Sequence, residues 1–482
     1  MGSLRQKVVK GMVWVTLEKL SRQALHFVVA MILARLLCPN DFGLVAMLSV
    51  FDMVAEVLAE AGLGRALVQK KDADDVDFNT MFYASVVLTT VVYSVLFAIA
   101  PMVADWYGIP KLKGLLRLMA LTIVFNGVSG VQQAELSRNL LFHLGFRINL
   151  TASIGSAVIG VILAWRGFGA WALAWSMVAS SALHMVMRWV VIAWRPKLMF
   201  SWRALRSLWW FGWRATAVSL IDRIYGQVSS LLIGKIYTPA DLAYVERGGS
   251  LSGVVMNVVN QSITRVTYPA LAKVQDDTIR IREAMRRMIR TSSFLIFPAM
   301  VGCAACSSEL IPILFGDQWL PAVPFVWLAC FSSALMPFHT INLNCIAACG
   351  RMDIFLRLEV LKKALGVLLI VLFIKEGVFV FVLIRTLVMG PISLIINTWP
   401  NRRLLKYPIW SQVKDIAPIF VASALMGAAV WGCGWVNLPC GVKLAVQILV
   451  GVALYAALAW GMRIEAFNEY RGLLQRVIKR RS

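Results

Sequence analysis

The sequence predicts an all-α integral membrane protein of about fourteen spans, and three observations carry that prediction. The 482 residues are 59% hydrophobic and only 15% charged, too apolar for a chain whose surface meets water throughout. Apolar runs centred near residues 23, 52, 90, 124, 157, 180, 222, 254, 303, 333, 367, 388, 424 and 451 fill nearly the whole length. Each is long enough for the roughly 20 residues with which a helix crosses a bilayer. Finally, most of the 48 Lys and Arg fall in alternate loops, so the net charge of +23 describes topology and not a basic nucleic-acid-binding domain.

Taken in order, the first run follows directly on MGSLRQKVVKG. It lacks a short apolar core with a small-residue cleavage site, so it reads as a retained span. Basic clusters then recur at Arg5 to Lys10, Arg65 to Lys71, Arg138 to Arg147, Arg188 to Arg206, Arg265 to Arg290, Arg351 to Lys363, Arg402 to Lys414 and Arg463 to Arg481. The positive-inside rule places these clusters and both termini in the cytoplasm, which requires an even number of spans. Lys70, Arg203, Lys273, Arg351 and Arg402 are therefore expected inside, and Lys111, Asp317 and Lys443 outside.

An internal repeat organises the spans. ILARLLCPNDFGLV at 32 to 45 lies over LIGKIYTPADLAYV at 232 to 245 without a gap, matching Arg35 with Lys235, Pro39 with Pro239 and Asp41 with Asp241; further on, Arg65 matches Arg265. Apolar bias does not explain matched Pro, Asp and basic residues. Each copy reads as a helix, a Pro-containing turn with Asp as N-cap, and a second helix. Because both copies begin at a cytoplasmic end, the repeat is parallel, with its pseudo-two-fold axis along the membrane normal. The expected plan is an N-terminal lobe of spans 1 to 6 (residues 1–200), a second six-helix lobe of spans 7 to 12 (201–408), and a C-terminal helix pair with a basic tail (409–482). The stretch from Arg188 to Arg206 is then the linker between lobes.

Charged residues inside spans each demand a reason, since an ionised group at the bilayer centre costs roughly 3 kcal/mol or more. Span 1 carries Glu18, Lys19, Arg22 and His26, with Glu18 and Arg22 at i,i+4. Span 2 carries the acidic stripe Asp52, Glu56 and Glu60. Rise per residue brings Lys19 to the level of Glu56 and Glu60, so Glu18, Lys19, Glu56 and Glu60 are expected to form structural ion pairs. Arg22 is different, because the repeat sets it over Asp222, whose neighbour is Arg223. Lobes converging on an axis would bring Arg22, His26, Asp52, Arg214, Asp222, Arg223, Gln227, Asn260 and Arg385 to a central cavity. Asn126, His339 and Asn342 are further polar span residues, for which an interhelical hydrogen bond is the competing reading.

Other chemistries lack their constellations. Cys303 and Cys306 have CxxC spacing, and Cys345 and Cys349 are four apart, but both pairs sit in apolar helices without His or carboxylate neighbours, so they read as packing residues and no metal is expected. Cys433 and Cys440 flank a short outside loop and are expected not to pair. There is no phosphate loop and no acidic soluble domain for a nucleotide-sugar transferase, so no catalytic residue, enzyme activity or cofactor is expected. A coupling ion, H+ or Na+, is left open.

LARLLCPNDFGLVA, AGLGRALVQ, the stretch from Leu231 through AYVERGGSL to TRVTYPALAKVQDD, and FGDQW at 315 to 319 resemble the polysaccharide and O-antigen flippases of the multidrug/oligosaccharidyl-lipid/polysaccharide exporter superfamily. The resemblance covers most of residues 1 to 330. It departs at Ser229, where members often carry Asp, so no ion role is carried over to that position. The resemblance implies a multi-pass protein of the bacterial inner membrane that translocates an undecaprenyl-diphosphate-linked oligosaccharide outward, for O-antigen, capsule or exopolysaccharide synthesis. Its implied partners are that lipid-linked oligosaccharide, membrane lipids, and the polysaccharide polymerase and chain-length machinery. An ion-coupled drug or solute exporter, or a peptidoglycan-precursor flippase, is the alternative within the superfamily.

Overall fold

The structure is a computed structural model. It describes residues 2–70, 72–272, 277–468 and 470, giving the backbone alone at 2–16, 20, 211, 214, 215, 218, 255 and 257–272. Lys273 and the tail beyond 470 lie outside the described residues, so the side assigned to Lys273 and the basic tail are not addressed. The described chain is all-helical: α1 (Gly2–Leu36), α2 (Pro39–Glu60), α3 (Leu63–Gln69), α4 (Asp75–Tyr107), α5 (Lys111–Met119), α6 (Leu121–Val128), α7 (Gly130–Arg138), α8 (Phe142–Trp165), α9 (Ala170–Val191), α10 (Trp202–Ile236), α11 (Pro239–Ala272), α12 (Thr278–Ala305), α13 (Ser307–Phe315), α14 (Val323–Ala348), α15 (Met352–Phe373), α16 (Val378–Ile384), α17 (Gly390–Leu404), α18 (Ile409–Cys433) and α19 (Cys440–Gly461). Among the described residues nine helices are long and apolar enough to cross a membrane, and the pair Lys111–Val128 and Gly130–Arg138, bent by 47°, adds a tenth span if counted as one. The chain is thus a multi-pass membrane protein. The long helices α1, α10, α11 and α15 fall outside that count, and each carries several charged residues along its length.

The repeat is visible in the helix boundaries. Helices α1 and α10 end at corresponding residues, Leu36 and Ile236, and α2 and α11 begin at Pro39 and Pro239. Proline suits a first helical turn because its missing N–H is one that the helix leaves free. The expected N-cap role of the two aspartates is corrected. Cys38 is the N-cap of α2 and Asp41 stands three residues on. In the second copy Thr238 Oγ1 accepts from Asp241 N (3.2 Å) while Asp241 accepts from Thr238 N (3.1 Å), so the carboxylate is the return arm of a capping box. Asp41 reaches instead across to another helix, accepting from Ala170 N at the start of α9 (2.9 Å). The copies also diverge where α2 ends. Ala61 and Gly62 turn left-handed (φ 44 and 66) and separate α2 from α3, whereas α11 continues unbroken past Gln261 and Ser262.

The chain forms two compact units, residues 1–243 and 244–482. In the first unit α10 lies antiparallel along α2, and small residues let the two backbones meet. A Cβ on Gly62 would sit 2.6 Å from the Gly212 carbonyl oxygen, and one on Gly234 would sit 2.8 Å from the Met47 side chain. Helix α1 packs on α8, and α8 on α9. The segment after α9 runs extended over the start of α4: Lys197 N donates to Asn79 Oδ1 (2.5 Å) and Ser201 N to Thr80 Oγ1 (3.1 Å). In the second unit α12 packs between α14 and α18, and α18 on α19. Five residues before α17, Arg385 to Met389, take a π-helical turn next to Pro391, which has no N–H for the regular ladder.

Candidate functional site

The polar residues of the first unit gather around α2. Its 3.6-residue period sets Asp52, Glu56 and Glu60 on one face. Asp52 accepts from Thr122 Oγ1 of α6 at 3.1 Å, and Gln227 Nε2 of α10 lies 3.2 Å from Met53 Sδ. Two turns further along α2, Glu60, Arg65, Thr216 and Arg223 line a small recess of about 80 Å³ between α2, α3 and α10. On another side of the same helix is a larger cavity of about 590 Å³, lined by Glu56, Glu60, Arg65, Asn126, Gln133 and Arg188 among others from α2, α3, α4, α6, α7 and α9.

The bend at Ser129 shapes this cavity. Ser129 Oγ donates to the Phe125 carbonyl (3.0 Å), and it accepts from Arg188 Nη1 (2.9 Å). The neighbouring Trp189 Nε1 donates to the Val128 carbonyl (3.2 Å). Two consecutive α9 residues thus satisfy backbone and side-chain groups that the break between α6 and α7 would leave unpaired. Arg188, expected in the linker, is corrected to a position inside α9, where it is half-buried and lines the cavity.

The remaining expected site residues are placed as follows. Arg22 and His26 are exposed on α1, Asp222 and Arg223 are exposed on α10, and Arg385 is exposed in the π-helical turn. The side chains of Arg214 and Asn260 lie outside the described residues. Glu18 accepts from Asn149 Nδ2 of α8 at 2.6 Å, in keeping with the packing of α1 on α8. Lys19 is half-buried on α1, and Glu56 and Glu60 are exposed on α2. Ser229, the position of departure, is buried.

In the second unit, Asn342 is fully buried in a bonded network. Its Nδ2 donates to Gln412 Oε1 (2.9 Å), and its Oδ1 accepts from Gln412 Nε2 (3.1 Å) and Asn401 Nδ2 (2.7 Å). His339 Nδ1 meets Asn397 Nδ2 at 3.1 Å. For both residues the interhelical hydrogen bond is the reading that holds. All eight cysteines are free thiols, Cys433 and Cys440 included.

Many helices long and apolar enough to cross a membrane, with acids, guanidiniums and amides lining a cavity in the first unit, define a polytopic membrane protein that carries polar groups along its spans. The chain belongs to the polysaccharide biosynthesis protein family, whose profile matches residues 32–324. It is 25% identical to the lipopolysaccharide biosynthesis protein WzxC of Escherichia coli (strain K12), over 77% of this chain and 76% of that one. It is 21% identical to the teichuronic acid biosynthesis protein TuaB of Bacillus subtilis (strain 168), over 94% and 95% of the two chains. The fold is that of the lipid II flippase MurJ in its inward closed conformation, at a TM-score of 0.72 and 13% identity, covering 96% of this chain and all of that one.

Proposed function

We propose that this protein is a flippase that carries an undecaprenyl-diphosphate-linked oligosaccharide from the cytoplasmic to the outer face of the bacterial inner membrane, for surface polysaccharide synthesis. Membership of the polysaccharide biosynthesis family over residues 32–324 carries this reading. Relatives named for lipopolysaccharide and teichuronic acid biosynthesis support a glycan substrate over a drug. The physical need is plain: each sugar hydroxyl dragged unpaired into hydrocarbon costs about 4 to 8 kcal/mol, so a headgroup of several sugars requires a polar path.

The nine apolar helices, the bent pair and α1, α10, α11 and α15 together give about fourteen spans. Both termini lie in the cytoplasm by the positive-inside rule. The duplicated plan divides the spans into lobes at 1–200 and 201–408 with a helix pair at 409–482, and the lobes rock to expose the site alternately to each side. Arg22, Arg223 and Arg214 are the cations assigned to the diphosphate, with His26, Asp52, Asp222, Gln227, Asn260 and Arg385 as polar lining. Glu18, Lys19, Glu56 and Glu60 hold helices together in this scheme, and H+ or Na+ is the coupling ion to be tested.

Loss of the gene tests the function directly. Surface glycan is expected to disappear and the lipid-linked repeat unit to accumulate in the inner membrane, with drug sensitivity unchanged. Intact glycan with new drug sensitivity would make the protein a drug exporter instead.

A further inference from the structure

The 590 Å³ cavity of the first unit differs in chemistry from a cavity of similar size in the second. The latter, about 800 Å³ between α12, α18 and α19, is walled by Phe294, Pro298, Leu444, Ile448 and similar side chains. The former is lined by two carboxylates, Glu56 and Glu60, two guanidiniums, Arg65 and Arg188, and the amides Asn126 and Gln133. Among the described residues the side chains of Glu60, Asn126 and Gln133 have no hydrogen-bond partner. Polar groups left this way in a membrane-spanning bundle need hydroxyls to bond, whether of water or of a ligand. Along α4 the cavity reaches from Met81 to Thr89, about 12 Å of helix axis. Its volume lies within the roughly 300 to 1,000 Å³ range of small-ligand sites.

We propose that this cavity, lined among the described residues by α2, α3, α4, α6, α7 and α9, is a binding subsite for sugar units of the lipid-linked glycan; the inference rests on the flippase reading above. The balance of charge selects the ligand. Two acids against two guanidiniums leave no excess cation for a diphosphate, whereas carboxylates accept from sugar hydroxyls, guanidiniums donate to them, and amides do both. Met81, Ile123 and Val68 on the wall supply apolar surface for the C–H face of a pyranose ring. Glu56 and Glu60 thereby gain a role beyond holding helices together, and Arg188 serves both to secure the α6–α7 bend and to face the ligand.

The test uses the full chain in lipid nanodiscs and two probes: the lipid-linked repeat unit extracted from cells lacking the gene, and undecaprenyl diphosphate without sugars. Wild type is expected to bind the sugar-bearing lipid at least about tenfold more tightly than the bare one, as the loss of one hydrogen bond to a charged group would undo. Gln133→Ala and Glu60→Gln should erase most of that preference while leaving the affinity for undecaprenyl diphosphate unchanged. Ser137→Trp, which fills the cavity from an exposed position, should erase it too. If that variant does not fold, Gln133→Ala, also exposed, decides the matter. Variants that keep the preference, variants that lose both lipids equally, or a wild type with no preference would each overturn the proposal. Should gene loss leave surface glycan intact, the flippase reading itself fails; should gene loss abolish it while the variants keep their preference, only the subsite does.

Discussion

In residues 1–243 the acids Glu56 and Glu60 line a cavity and have no hydrogen-bond partner among the described residues, whereas in residues 244–482 Asp415 collects four donors within hydrogen-bond distance. Arg286 donates through Nε (2.8 Å) and Nη2 (2.6 Å), Arg290 through Nη2 (2.6 Å), and Tyr407 through its hydroxyl (2.6 Å), while Arg290 also pairs with Glu465. The nearby Asn342, Gln412 and Asn401 bond to one another in the same way. These groups join α12, α14, α17 and α18, with Arg290 Nε and Asn401 Oδ1 the atoms among them that stay buried without a partner. Polar residues in membrane helices therefore divide by whether neighbouring helices already answer their hydrogen bonds, and not by residue type.

That division is open to attack by substitution. The largest effect is expected at Arg22, where Arg22→Ala should abolish glycan export at unchanged protein level and unfolding midpoint. Arg22→Lys should retain partial export, since it keeps the charge but loses the planar fork that suits phosphate. Lys19→Ala should be milder; the reverse ranking would exchange the roles given to the two residues. In the second unit the order of losses inverts. Asp415→Ala leaves Arg290, whose side chain is only 18% exposed, with Glu465 alone and takes the acceptor from the Tyr407 hydroxyl, and should lower stability by about 2 kcal/mol, read as a fall in the thermal midpoint of the detergent-solubilised protein, with export falling only as folded protein is lost. A normal midpoint with abolished export would place Asp415 among the functional groups and break the comparison.

The smallest effect belongs to a loop outside the spans. Asp74 caps α4 by accepting from Asp77 N (2.9 Å), and Asp77 returns the bond to Asp74 N (3.2 Å). The Asp77 backbone N–H beside Asp74 holds its carboxyl below the usual carboxylate range. Asp74→Ala should cost about 1 kcal/mol. Because the folded pKa is depressed, the cap's contribution is complete above the ordinary carboxylate pKa and fades as pH falls through the lower folded value. The wild type and the variant should accordingly converge in strongly acidic buffer, and a gap that persisted there would assign the loss to packing.

Helix identity, the repeat and the acidic stripe were legible in the sequence because each depends on spacing along one chain. An offset of 200 residues anticipated that α1 and α10 would end at corresponding positions, and the i,i+4 spacing of Asp52, Glu56 and Glu60 placed them on one face. What met that face was decided by tertiary structure. Helix α1 turned to α8, giving Glu18 the amide of Asn149, and α10 came to lie along α2 through contacts that only glycine permits at 62 and 212. Arg188 looked like part of a basic linker because a charge run carries no sign of where a helix ends, and its place in the cavity depends on the bend at Ser129. Periodicity fixes which residues share a side of one helix, but hydrogen-bond partners and cavities are set by close approach between helices distant in sequence, where a missing Cβ or a broken turn changes the neighbour.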